Sequence, residues 1–173
     1  MSILIRAEQP AEIAAIRRLH EAVFPTPAEG GLVDALRDAG RLIISLVACD
    51  GSEVVGHVAF SPVTTPSTRE VTGSQLGLGL APVAVTAAHR RRGIARRLIE
   101  AGLEQARIGG SPYVVVFGEP GYYGRFGFLA AGRFGLVDEY GGGDAFQVLE
   151  LTTGGIPRGA GLVRYAPEFA GFG

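Results

Sequence analysis

Three consecutive arginines, Arg90, Arg91 and Arg92, stand between an apolar strand-like run and Gly93, after which a helical pattern begins. A helix N-terminus carries a partial positive charge and unpaired N–H donors, so it attracts anions and repels cations. Arginines crowded there are out of place unless an anion lies among them. Phosphate or pyrophosphate fits that gap, with Gly93 letting the backbone come close. A solvated basic patch or a nucleic-acid contact is the plainer reading of the same residues.

The flanking motifs favour the anion. Arg90-x-x-Gly93-x-Ala95 after such a strand resembles the acyl-CoA pyrophosphate loop of the GNAT superfamily of N-acetyltransferases, whose pattern is Gln/Arg-x-x-Gly-x-Gly/Ala. Pro82-Val83-Ala84-Val85 precedes it, which adds weight to the match. Downstream, Tyr122-Tyr123-Gly124-Arg125-Phe126-Gly127-Phe128 contains a Tyr-x-x-x-Gly-Phe similar to the superfamily's C-terminal tyrosine motif. Residues 31–37, Gly-Leu-Val-Asp-Ala-Leu-Arg, and residues 55–58, Val-Gly-His-Val, bring the chain nearest the YhbS-like branch. The likeness runs from about residue 3 to about residue 151, with a weaker tail.

The resemblance implies an α/β protein of the α+β type: a twisted, mainly antiparallel mixed sheet with a splayed parallel central strand pair and flanking helices. It implies a cosubstrate, acetyl-CoA, and transfer of its acetyl group to a primary amine by direct attack in a ternary complex. By carry-over, backbone groups of Val83, Ala84 and Val85 would line the pantetheine, and Arg90, Arg91, Arg92, Gly93, Ile94 and Ala95 would hold the pyrophosphate. Tyr123 would contact the cofactor and give a proton to the departing thiolate; Tyr122 is one residue off the motif's spacing. The amine must first lose a proton, since an ordinary ammonium has a pKa near ~10.4. Some members use a glutamate on the central strand, but residues 76–85 hold no acid. Glu119 is then the candidate base, directly or through water; its plain reading is a loop-ending carboxylate. The rival function is a GNAT fold that binds or senses acyl-CoA without turnover, which the missing strand carboxylate favours.

These residues need elements to place them. Residues 2–7 alternate as a first strand, with Ile3, Ile5 and Ala7 on one face. Pro10 opens a helix carrying Ile13, Ile16, His20 and Val23, stopped at Pro25. His20 reads as a packed histidine in preference to a catalytic one. A second helix covers residues 30–38 with Leu32, Ala35 and Leu36 inward; in GNAT proteins this region borders the acceptor. Residues 42–49 and 53–61 form a hairpin about Asp50-Gly51. Gly56 marks a bulge or a close backbone approach, and His57 an ordinary strand position in preference to one facing the cleft. Residues 62–74 read as an exposed loop and 76–85 as the central strand, where Pro82 removes a ladder donor. A helix over residues 94–108, with Ala95, Leu98, Ile99, Gly102, Leu103 and Ala106 inward, leads to a parallel-type strand at 114–117. A helical turn follows at 122–125, with Phe126 and Phe128 in the core. Residues 129–137 and 145–151 should complete the sheet as an antiparallel pair, and the tail with Tyr165, Pro167 and Phe169 would pack against it.

The whole chain, residues 1–173, suits a single domain, with 152–173 as a C-terminal extension. A formal net charge of −1 gives no global attraction to nucleic acid or an anionic membrane. Apolar runs fall short of the ~20 residues a membrane span needs, and the N-terminus lacks the pattern of a signal peptide. Cys49 is alone, which fits a reducing cytoplasm and a small buried residue. The scattered histidines and single cysteine give no metal-ligand spacing. Partners are therefore acetyl-CoA and an amine-bearing small molecule or peptide. The superfamily makes a homodimer unsurprising, without an interface evident in the sequence.

Overall fold

A computed structural model describes residues 2–66 and 76–170. The chain divides into two compact units: residues 1–60 with 81–104, and residues 61–80 with 105–173.

In the first unit, strand β1 (Ile3–Ala7) pairs antiparallel with β2 (Ile44–Asp50), from Ile3↔Asp50 to Ala7↔Leu46. β2 turns through Gly51, at φ +61°, into β3 (Glu53–Pro62), whose last two residues belong to the second unit. The β2–β3 register slips between Ala48↔Gly56 and Cys49↔Val54, so Val55 is an extra residue and a bulge lies beside Gly56. Gly56 is also a close approach. A Cβ there would meet Leu98 Cδ1 at 3.0 Å and Ala48 Cβ at 3.2 Å. Both readings of this glycine hold.

Helix α1 (Ile13–Val23) follows a 3-10 turn, Pro10–Glu12, and α2 spans Ala28–Asp38. Ile16, Val33, Val47 and Cys49 join in one apolar cluster. The expected inward face of α2 needs one change: Val33 is buried and Ala35 is exposed. Leu32 and Leu36 already fill the core, and Val33 between them brings more apolar surface than Ala35 would. Helix α3 (Ile94–Ile108) has the expected bounds and buries Leu98, Ile99, Leu103 and Ala106, with Ile94 in addition.

Strand β4 (Leu78–Val85) is shared by the two units. In the second unit its first residues pair in parallel with β5 (Tyr113–Phe117), through Leu78↔Val114 and Gly79↔Val115, ahead of Pro82. A short helix α4 (Pro120–Tyr123) comes next, then β6 (Leu129–Ala130), β7 (Leu136–Asp138), β8 (Phe146–Glu150) and β9 (Gly161–Val163). β8 pairs antiparallel with β5 on one side and β6 on the other. The expected antiparallel pair is thus only partly formed: Leu129–Ala130 joins β8, but β7 leaves to pair in parallel with β9. Gly135, at φ +74°, turns the chain away between them. In the tail, Tyr165 stacks 5.7 Å from Phe117 and lies tilted 5.1 Å from Phe169. Tyr165 lies where a Cβ on Gly79 would stand, 2.5 Å from its ring, which accounts for a glycine inside the strand. The expected loop at 62–74 begins with Pro62 ending β3 and Thr64 bridging to Arg164; the rest of it lies outside the described residues. The main sheet is mixed and mostly antiparallel, with a parallel pair at β4–β5, and β7 and β9 form a second parallel pair apart from it.

Candidate active site

The arginine segment belongs wholly to the first unit. Val83 is half-buried, Ala84 and Val85 are buried, and Thr86 N–H donates to the Val55 carbonyl at 2.9 Å. A 3-10 turn at Ala87–His89 follows, closed by His89 N–H on the Thr86 carbonyl at 3.0 Å. Side chains fasten this turn. His89 Nδ1 lies 2.8 Å from Thr86 Oγ1, and His89 Nε2 lies 3.1 Å from Asp50 Oδ2. Arg90, Arg91, Arg92 and Gly93 are then exposed. Arg91 has φ +64° and Gly93 φ +73°. An arginine in the left-handed region is uncommon, and two such residues so close curl the backbone sharply. A Cβ on Gly93 would meet nothing within 4 Å, so the space over it is open. α3 starts with Ile94 buried and Ala95 half-buried. Its first turn is anchored by Arg97, whose Nη2 donates to the Ile3 carbonyl at 2.9 Å. Exposed guanidiniums, a curled backbone and the orphan N–H groups of a long helix form a donor set that fits a pyrophosphate.

The other predicted residues lie in the second unit. Glu119 is exposed and caps α4: its Oε1 accepts from Gly121 N–H at a long 3.4 Å. Its backbone carbonyl accepts from Tyr123 N–H at 3.0 Å. Tyr123 is 9% exposed, and its ring lies across Gly118, where a Cβ would come within 2.2 Å of it. Tyr122 and Phe128 meet that ring edge-on at 5.1 and 5.8 Å. Burial, with a smaller contribution from Tyr122, pushes the Tyr123 hydroxyl up to about 12. Tyr122 is engaged differently, with the Arg125 guanidinium 4.5 Å above its ring. Of the two expected core phenylalanines, Phe128 is buried and Phe126 half-buried. The preceding carbonyl, Gly118, accepts from the buried Gln147 Nε2 at 3.1 Å, which fixes the end of β5.

Two polar groupings escaped sequence reasoning. Asp50 and His89 are 39 residues apart, so no local spacing reveals their contact. The second is a buried chain in the first unit. His20 Nε2 lies 2.9 Å from His57 Nδ1, His57 Nε2 lies 2.8 Å from Ser45 Oγ, and Ser45 Oγ donates to Glu8 Oε1. Arg37 holds both Glu8 oxygens at 2.9 Å. Both imidazoles are fully buried, and burial pushes His20 down to about 4 and His57 well below its ordinary value.

Among the described residues, no group of three or more His, Cys, Asp and Glu is placed to hold a metal ion, and no helix is long and apolar enough to cross a membrane.

Residues 4–131 match the family model described as an acetyltransferase (GNAT) domain. The chain is 39% identical to the uncharacterized N-acetyltransferase YhbS of Escherichia coli over 98% of its own length and 100% of that protein. The crystal structure of Escherichia coli YhbS in complex with CoA superposes with a TM-score of 0.89 at 38% identity, covering 99% of this chain and 93% of that one. A GNAT family acetyltransferase from Brucella melitensis, in complex with acetyl-CoA, matches with a TM-score of 0.79 at 37% identity over 97% and 98% of the two chains. A family match across most of the chain and full-length relatives of this identity agree with the strand pairing and with the arginine and tyrosine motifs: the chain belongs to the GNAT family of acetyltransferases.

Proposed function

We propose that this chain transfers the acetyl group of acetyl-CoA to a primary amine, by direct attack in a ternary complex. The observation that carries the reading is the exposed Arg90–Gly93 segment, curled at Arg91 and Gly93 and set at the start of α3. CoA and acetyl-CoA in two full-length structural relatives support the same ligand.

Arg90, Arg91, Arg92 and the amides of Gly93, Ile94 and Ala95 hold the pyrophosphate. Backbone groups of Val83, Ala84 and Val85 line the pantetheine, and the recorded β4–β5 pairing lies wholly before Pro82, consistent with that use of the strand. Acetyl-CoA supplies an activated acyl group as a thioester. The amides near Val83 and Val85 donate to its carbonyl oxygen as charge develops there. Tyr123, protonated across the neutral range because its hydroxyl holds its proton to about 12, donates to the departing sulfur. Glu119 takes the amine's proton, directly or through water; its long capping bond leaves the carboxylate free to accept another donor. Cys49, free and buried, fits a reducing compartment, and the reading places the enzyme in the cytoplasm.

The test is calorimetric titration of acetyl-CoA into the wild type and into Arg91→Ala with Arg92→Ala. Micromolar binding that weakens about tenfold or more in the double variant is the expected result, since each lost charge-assisted contact is worth roughly 1.5–3 kcal/mol. A wild type that binds no acetyl-CoA would sink the reading. Binding without thiol release for any amine would instead favour an acyl-CoA sensor, the reading that the acid-free Leu78–Val85 strand supports.

A further inference from the structure

The segment Thr86–Gly93 carries like charges side by side on an exposed loop, and Coulomb repulsion spreads such a loop when nothing restrains it. Here it is restrained at both ends by groups outside the GNAT motif. On the far side, Arg97 donates to the Ile3 carbonyl. On the near side stands a three-membered side-chain line. The Asp50 carboxylate can only accept, so His89 donates to it through Nε2–H, and in the neutral imidazole Nδ1 accepts the Thr86 hydroxyl. The His89 side chain is 11% exposed and that of Asp50 31%, so the line is partly shielded from water. Asp50 is a firm post: it closes β2 opposite Glu53, at a tight turn through Gly51.

We propose that His89 is a positioning residue for the pyrophosphate-binding segment, held by Asp50 and holding Thr86, so that the Arg90–Gly93 curl exists before the nucleotide arrives. Preorganisation of this kind raises affinity by removing an ordering cost from the binding step. Its effect falls on the phosphate-bearing half of acetyl-CoA and not on the thioester half. The proposal rests on the reading of residues 90–95 as the pyrophosphate site.

The experiment compares acetyl-CoA with acetyl-pantetheine, which has the thioester and lacks the nucleotide, by titration into the wild type, His89→Ala, His89→Gln, Asp50→Ala and the double alanine variant. Circular dichroism melts confirm that each is folded. In either single alanine variant, acetyl-CoA affinity is expected to fall about tenfold, the scale of one charge-assisted hydrogen bond. The double variant should fall no further, and acetyl-pantetheine affinity should not change. His89→Gln, whose amide can donate where Nε2–H did, should recover most of the loss. Unchanged acetyl-CoA affinity in the alanine variants, or an equal loss for both ligands, would overturn the assignment while leaving the proposed function standing. A wild type that binds no acetyl-CoA would overturn both.

Discussion

The two units differ in how their most prominent buried polar side chains are held. In the first, a chain of them is wired together: His20 to His57, His57 to Ser45, Ser45 to Glu8, and Glu8 to Arg37. In the second, they are submerged among rings. Phe117 lies 5.0 Å from Phe146, 5.7 Å from Tyr165 and 6.0 Å from Tyr140, while the Tyr113 and Tyr165 hydroxyls are buried without a hydrogen-bond partner. Burial raises both of those hydroxyls, so they stay neutral at any physiological pH. The contrast separates two ways of building rigidity. Wired groups are directional and answer to protons, whereas packed rings answer to shape.

The sharpest way to test that contrast is at Tyr123, a hydroxyl on a packed ring. Tyr123→Phe keeps the shape, so its melting temperature should stay near the wild type's. Thiol release should slow by at least about a hundredfold if the hydroxyl serves the leaving sulfur. A variant that loses stability and keeps its rate would reverse the assignment.

Acid should separate the units next. His20 has its ordinary value of 6.5 when unfolded and about 4 when folded. Between these values the unfolded chain binds a proton that the folded chain refuses, so stability falls as pH drops below about 6.5 and this contribution levels off near 4. At pH 5 the loss is roughly 2 kcal/mol, from 1.36 kcal/mol per pKa unit. Urea unfolding at pH 7 and 5 measures it, and His20→Phe should flatten the dependence. Hydrogen exchange should show protection lost in α1, β2 and β3 at pH 5, with β5 and β8 less affected. Equal loss in both units would break the comparison.

Shape can be challenged directly at Gly118. A Cβ there would press into the Tyr123 ring, and overpacking of this kind typically costs about 1–3 kcal/mol. Gly118→Ala should lower the urea midpoint at pH 7 and pH 5 alike. The smallest expected effect is at Arg91. Relief of its left-handed backbone by Arg91→Gly should stabilise by no more than about 1 kcal/mol, because glycine's extra freedom when unfolded offsets the gain. Acetyl-CoA affinity should still fall with the lost charge.

Much of this design was legible in the order of residues. The bounds of α3, the Asp50-Gly51 hairpin and the dual meaning of Gly56 all follow from local periodicity or turn chemistry. What escaped depends on contacts far apart in the chain. β7 has the composition of a sheet strand, but its partner is β9, about 25 residues on, and only tertiary packing selects it. His20 read as a packed histidine and His57 as an ordinary strand position; their hydrogen bond spans 37 residues. At the candidate site, the arginine and tyrosine motifs were readable because each is contiguous, whereas Asp50 at the foot of the arginine loop was not.

The buried imidazole chain also has a sense of travel. A carboxylate at Glu8 accepts and never donates, so Ser45 must point its hydrogen outward, His57 must carry its hydrogen on Nε2, and His20 must do the same. A single charge near the edge of the unit thereby selects one of two opposite directions for the hydrogen bonds along this chain. Without that charge, as in Glu8→Gln, both directions become accessible, and each ring should report two populations in nitrogen-15 spectra where one is expected of the native protein. The fold thus writes a local choice of direction, made at one side chain, into atoms that never touch it.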